Sequence, residues 1–196
     1  IQEGHDPANS IWPWSPGVRP AMQTLKSLYG IQKSSVISAV DLIRGIGVYA
    51  GMKVIQVEGA TGLYDTNYEG KATAALEALK TDDLVYLHVE ASDEAGHEGD
   101  VRLKIQTIED LDHRIVGSVL QALQTWEEPV AIAVLPDHPT PCSIRTHTNV
   151  PVPFLIYRPG DEPDSVTVFD EFSVEGGKYG LLEKDEFIKL LIKSEK

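Results

Sequence analysis

With 196 residues, 42% of them hydrophobic and 24% charged, the chain has the makeup of a soluble globular protein long enough for one domain with its own core. Its formal net charge of -13 disfavours sequence-independent nucleic-acid binding, which needs basic side chains to neutralise phosphates, and disfavours docking on anionic lipid. The acidity still allows a small phosphorylated substrate, because a bound cation reverses the local sign of the field.

No apolar run reaches the roughly 18 to 20 residues of a membrane span. The opening Ile1-Gln2-Glu3-Gly4-His5 has no basic segment leading into an apolar one, so it does not read as a secretory signal. It also lacks a starting Met, as expected of a processed or cut chain. A single cysteine, Cys142, excludes an internal disulfide framework and fits a reducing cytoplasm.

Residues 1–20 contain Pro7, Pro13, Pro16 and Pro20 around Trp12 and Trp14. Proline fixes φ and removes a donor, so this stretch reads as irregular, with the tryptophans either a packing cluster or a substrate wall. Ala21–Tyr29 reads as a helix ending at Gly30. Val36–Ala39 reads as a short strand, Asp41–Gly51 as a short helix broken by glycines, and Lys53–Val57 as a strand leading to a Glu58–Gly62 turn. Lys71–Leu79 has helical spacing, and Leu84–Val89 has the continuous apolar pattern of a strand covered on both faces.

The longest periodic segment runs from Leu103 to about Trp126, with an apolar stripe at Leu103, Ile108, Leu111, Ile115, Val119 and Leu123. Val130–Leu135 and Val152–Tyr157 read as buried strands, Ser165–Phe169 as an edge strand, and Leu182–Lys193 as a closing amphipathic helix. This alternation predicts an α/β sandwich with a mainly parallel sheet.

Three polar clusters sit at strand ends, where α/β sheets place their ligand crevices. Glu90–Asp100 follows one strand and contains Asp93 and His97. Pro136–Pro141 follows another and contains Asp137 and His138. Arg145–Thr148, containing His147, precedes a third. Imidazole nitrogen with carboxylate oxygen is the donor set of a divalent ion such as Mn²⁺ or Zn²⁺. Asp93 and His97, four apart, share one face of a turn and suit a single ion. Asp137 and His138 are adjacent, so an extended backbone makes their side chains diverge, which suits two ions or one ion and a supporting role. Each cluster alone also reads as an ordinary solvated turn; their common placement favours metal. His88, inside a strand, reads as a core or face residue, and His5 and His113 as surface positions. Neither a P-loop nor a Gly-x-Ser-x-Gly elbow is present, and Gly45-Ile46-Gly47 lacks the third glycine of a dinucleotide fingerprint.

Longer strings then become recognisable. Ile37–Gly47, Gly59–Gly62, Asp65–Lys71 and His88–His97 resemble the archaeal-type cofactor-independent phosphoglycerate mutases of the alkaline phosphatase superfamily. So do Asn9–Trp14, Pro136–Pro141 and His147-Thr148 before Pro151–Phe154. The resemblance covers residues 8 to 157. It implies an alkaline-phosphatase-like three-layer α/β/α sandwich interrupted by an inserted domain. Residues 1–30 would then lead out of that insert, and 31–196 would form the C-terminal part of the metal-binding domain.

The resemblance further implies two divalent ions, typically Mn²⁺, with Zn²⁺, Mg²⁺ or Co²⁺ as other occupants. Asp93, His97 and His147 would hold one ion; Asp137 and His138 would hold the other. Arg44 and Lys71 become candidates for the substrate phosphate and carboxylate, although each also suits an exposed salt bridge. The reaction implied is interconversion of 2- and 3-phosphoglycerate through a phosphoserine. No serine here matches the family's nucleophile, which lies in an N-terminal half, so the chain alone is expected to be inactive and to need that half as its partner. Oligomeric state is not legible. Two alternatives stay open: a relative acting on another substrate, as in members labelled homoserine kinase or phosphonopyruvate decarboxylase, or a non-catalytic metal-binding module.

Overall fold

The computed structural model describes residues 9–11, 13 and 17–193, so the Trp12–Trp14 pair and His5 fall outside the described residues. The first elements are α1 (Leu25–Tyr29), β1 (Ser34–Ile37), α2 (Asp41–Tyr49), β2 (Lys53–Ile55), α3 (Tyr68–Leu79) and β3 (Leu84–Leu87). Three strands form one parallel sheet in the order β2-β1-β3, with Val36 opposite both Val54 and Tyr86. The connection β1-α2-β2 steps to one side of β1, and β2-α3-β3 steps back across it. Right-handed crossovers in opposite directions place their helices on opposite faces of the sheet. Accordingly, all four residues of β1 are buried.

Local chemistry sets the ends of these elements. Thr24 caps α1, accepting from the Ser27 amide, and Gly30 ends it at φ 75 in the left-handed region. Helix α2 runs unbroken through Gly45 and Gly47, contrary to the expected break, because Gly47 provides close approach: a Cβ there would lie 2.5 Å from Val36 Cγ1. Helix α3 starts three residues before the expected Lys71, since Asn67 caps it through the Gly70 amide. The turn before it is closed by Asn67 Nδ2 donating to the Glu58 carbonyl at 2.8 Å.

Beyond β3 come α4 (Ala91–Glu98), α5 (Val101–Asp110), a π-helical stretch (Leu111–Gly117) and α6 (Ser118–Leu123). The Glu90–Asp100 cluster is therefore a helix rather than a turn, and Gly99 ends it at φ 73. Asp100 then caps α5 through the Leu103 amide. The expected Leu103–Trp126 helix is real, but its centre widens to π geometry, which rotates its apolar stripe. Ile115 is buried while Ile108 is 52% exposed. The buried cluster of Tyr68, Ala72, Ala91 and Ile115, with Leu87, Val89 and Val119 against it, joins α3, α4 and this helix.

The last third departs further from expectation. Strands β4 (Ile132–Val134) and β5 (Leu155–Tyr157) are shorter than expected and pair antiparallel in a separate two-stranded sheet. Neither is fully buried. Ser165–Phe169 forms no strand; Asp164 instead accepts from the Val166 and Lys178 amides. A 3₁₀ turn (Ser173–Gly176) and α7 (Glu186–Ile192) close the chain, with Tyr29 donating to Asp185 across 3.4 Å. None of the described helices is long and apolar enough to cross a membrane.

Candidate metal centre

Helix α4 and the loop after β4 build the site. On α4, Asp93 and His97 stand one turn apart, and His97 Nε2 lies 3.3 Å from Asp93 Oδ2. The loop from Pro136 to Thr148 folds back over this helix. It is held by the Thr148 amide donating to the Pro139 carbonyl and by two turn bonds onto the Pro141 carbonyl. That fold brings His147 Nε2 to 3.4 Å from Asp93 Oδ1 and 3.0 Å from His97 Nε2. Asp93, His97 and His147 thus present one oxygen and two nitrogens, all within 4.8 Å of one another.

The chemistry of these donors fits a divalent ion. His97 Nδ1 lies 3.0 Å from the Arg145 carbonyl oxygen. A carbonyl only accepts, so Nδ1 carries the proton and Nε2 keeps the lone pair that faces the other two donors. Arg145 adopts φ 55 to make this contact, and its side chain lies over Gly99, where any Cβ would overlap it.

The second pair is placed differently from expectation. Asp137 and His138 do not diverge: His138 Nε2 lies 3.6 Å from Asp137 Oδ2, and its Nδ1 3.9 Å from Asp93 Oδ1. The Asp137 carboxylate accepts from the amide of the next residue, His138, at 3.0 Å, and both side chains lie to one side. The His138 ring packs on His147 with centroids 3.8 Å apart, so the two sets of donors adjoin.

His88, read from sequence as a core or face residue, is both buried and part of this site. Its Nε2 is 3.3 Å from Glu90 Oε2 and 3.8 Å from Asp137 Oδ2, while its Nδ1 faces Ser38 Oγ at 3.3 Å. His88 holds the Asp137 carboxyl down at about 2, aided by His138 and opposed by desolvation. Glu90 is pushed the other way, upward, chiefly by burial and then by the neighbouring Asp93 and Asp137, against the pull of His88. A sequence signal for His88 existed in its position two residues before Glu90, at the carboxyl end of β3, where the chain leaves the sheet.

Arg44 and Lys71 lie near this crevice and do not touch the donors. Arg44 donates to the Ser38 carbonyl at 2.6 Å and pairs with Asp41 at 3.3 Å. Lys71 is 1% exposed. Burial lowers its ammonium to about 8, with Glu90 opposing and Arg44 reinforcing the shift, which puts all three in one electrostatic neighbourhood.

Comparison with known proteins identifies the family. A model of the Metalloenzyme superfamily matches residues 4–193. The 2,3-bisphosphoglycerate-independent phosphoglycerate mutase of Methanosarcina mazei is 55% identical over 195 residues, 99% of this chain and 49% of that protein. A probable enzyme of the same name from Geobacter sulfurreducens is 50% identical over 95% of this chain and 46% of its own length. The chain thus spans about half the length of these curated relatives. Among solved structures, the PH0037 protein of Pyrococcus horikoshii superposes with a TM-score of 0.80 at 33% identity, covering 87% of this chain and 50% of that one. A cofactor-independent phosphoglycerate mutase from Thermoplasma acidophilum, 24% identical with a TM-score of 0.59 over 81% of this chain and 36% of that one, shares the fold. With the superfamily model running from residue 4 to 193, the chain belongs to the Metalloenzyme superfamily and has its alkaline-phosphatase-like α/β fold.

Proposed function

We propose that the chain is the metal-holding C-terminal half of a cofactor-independent phosphoglycerate mutase, interconverting 2- and 3-phosphoglycerate. The observation that carries this reading is the convergence of Asp93, His97 and His147 in a chain 55% identical to the mutase of M. mazei. In this reading those three residues hold one divalent ion, Mn²⁺ by preference, and Asp137 with His138 supplies part of a second site. The ions would polarise the phosphoryl group and stabilise attacking and leaving oxygens.

The chain's own residues divide the remaining work. Arg44 has its Nε on the Ser38 carbonyl and one terminal nitrogen on Asp41, which fixes its fork for a phosphate or carboxylate oxygen. Lys71, titrating near 8, offers a positive charge from a buried position. His88, between Glu90 and Asp137, keeps the Asp137 carboxylate ionised for a cation. The nucleophilic serine belongs to the N-terminal half, the partner required for turnover in the cytoplasm.

The test is a chimaera in which this chain replaces the C-terminal half of the M. mazei relative. Mn²⁺-dependent interconversion of the two phosphoglycerates, lost in Asp93→Asn and absent from the 196-residue chain by itself, is the expected result. Phosphorylation of homoserine from a nucleotide donor without mutase turnover would replace the glycerate reading. Failure of the folded, metal-loaded chimaera with both substrates would support a non-catalytic module.

A further inference from the structure

Thr140 is 3% exposed and touches both sets of donors. Its Oγ1 donates to Asp93 Oδ1 and lies 3.3 Å from His138 Nδ1. Its peptide is clamped from the other side. Lys104 Nζ donates to the Thr140 carbonyl at 2.6 Å, and buried Gly96 lies so close beneath that carbonyl that any Cβ would overlap it. The hydroxyl is therefore fixed in place by backbone contacts that are independent of the donors themselves.

A hydroxyl has one proton and two lone pairs. The Asp93 carboxylate is an acceptor, so the hydroxyl hydrogen points to it and the oxygen lone pairs are left facing His138 Nδ1. Nδ1 must then carry a hydrogen, and the free lone pair of His138 resides on Nε2, on the side of Asp137 Oδ2. Resting on the reading of His138 as a metal ligand, we propose that Thr140 is a positioning residue that selects the coordinating nitrogen of His138. It would also tie that choice to Asp93 of the neighbouring set through a single hydroxyl. His97 needs no such help, because the Arg145 carbonyl sets its tautomer.

The tautomer is read directly from imidazole ¹⁵N shifts of the metal-free chain at pH 8. In wild type, His138 is expected in the Nδ1–H form; an Nε2–H form would overturn the proposal without any variant. Thr140→Val keeps the shape and removes the hydroxyl. It is expected to give mixed His138 tautomers and to weaken the second Mn²⁺ binding event, at Asp137 and His138, about tenfold or more in calorimetric titration, while Thr140→Ser restores both. Circular dichroism checks that each variant is folded. An unchanged tautomer in folded Thr140→Val, or a second Mn²⁺ binding event within twofold of wild type, would overturn it. If wild type takes up neither Mn²⁺ nor Zn²⁺, the metal reading itself fails, and the tautomer in wild type against Thr140→Val then decides the role of Thr140 alone.

Discussion

His97 Nε2 and His147 Nε2 stand 3.0 Å apart although fifty positions separate them in the chain. With the His97 proton committed to the Arg145 carbonyl on the far side of its ring, the His97 Nε2 lone pair points to where His147 Nε2 and the Asp93 carboxylate meet it.

His97→Ala removes one of three donors in the complete set and is expected to abolish its measurable Mn²⁺ uptake. His138→Ala should leave that first binding event largely intact. Calorimetric titration of the two variants separates them, and equal losses would mean that the sets are not distinct.

Lys71 provides a pH test. Its folded value of about 8 lies below the ordinary 10.5, so between those limits the unfolded chain binds more protons. Stability therefore rises with pH across that window, and below about 8 the full penalty persists. Lys71→Met should be more stable than wild type at pH 7, by on the order of 2 to 3 kcal/mol, with the gap closing toward pH 10. Urea unfolding at several pH values checks this, and a constant gap would show that burial does not depress the ammonium. Retaining a buried charge at such a cost is what a functional role predicts.

Gly96→Ala drives a methyl into the Thr140 carbonyl. It is expected to cost about 1 to 3 kcal/mol by overpacking and, through the displaced loop, to weaken Mn²⁺ binding as well. Gly47→Ala meets the Val36 side chain, at 2.5 Å, and should cost a similar amount while leaving Mn²⁺ binding unchanged. Thermal melts paired with metal titrations distinguish the two glycines.

Arg114 places both ends of its fork on Glu69, at 2.6 and 2.9 Å, and stacks over the Tyr68 ring at 4.5 Å. The pair is solvent-accessible, so its ionic part is worth under about 1 kcal/mol, while the ring contact adds about 0.5 to 1. Arg114→Ala should thus destabilise by about 1 to 2 kcal/mol, and Arg114→Lys should recover less than half, since an ammonium cannot reproduce the fork. Chemical denaturation of the two variants measures the difference.

The α/β alternation was legible because β1, β2 and β3 and the helices between them follow local pattern, with Asn67 and Thr24 as written caps. The donor residues were legible too, since Asp93 and His97 belong to recognisable strings. What was not legible depended on tertiary context. Helix α4 has few apolar residues, and its buried Ala91 and Ala95 give little periodic signal. The side chains of Asp137 and His138 lie to one side, contrary to the expected divergence, with the Asp137 carboxylate on the His138 amide. The antiparallel pairing of β4 with β5 is fixed by a connecting loop with no sequence period of its own. His88 looked like core because half of it is: one ring nitrogen faces Ser38, and the other faces the carboxylates.

The Pro136–Thr148 loop has no regular secondary structure and carries Asp137, His138 and His147, while Asp93 and His97 lie on a helix that ends at Glu98. An ion shared between them would act as a cross-link closing that long segment, which includes α5, the π-helical turn, α6 and β4. Such a tie restricts the unfolded chain much as a covalent bridge would, with an entropy that grows only slowly with loop length. Metal occupancy would then govern how often this half of the molecule opens, well away from any chemistry at the site.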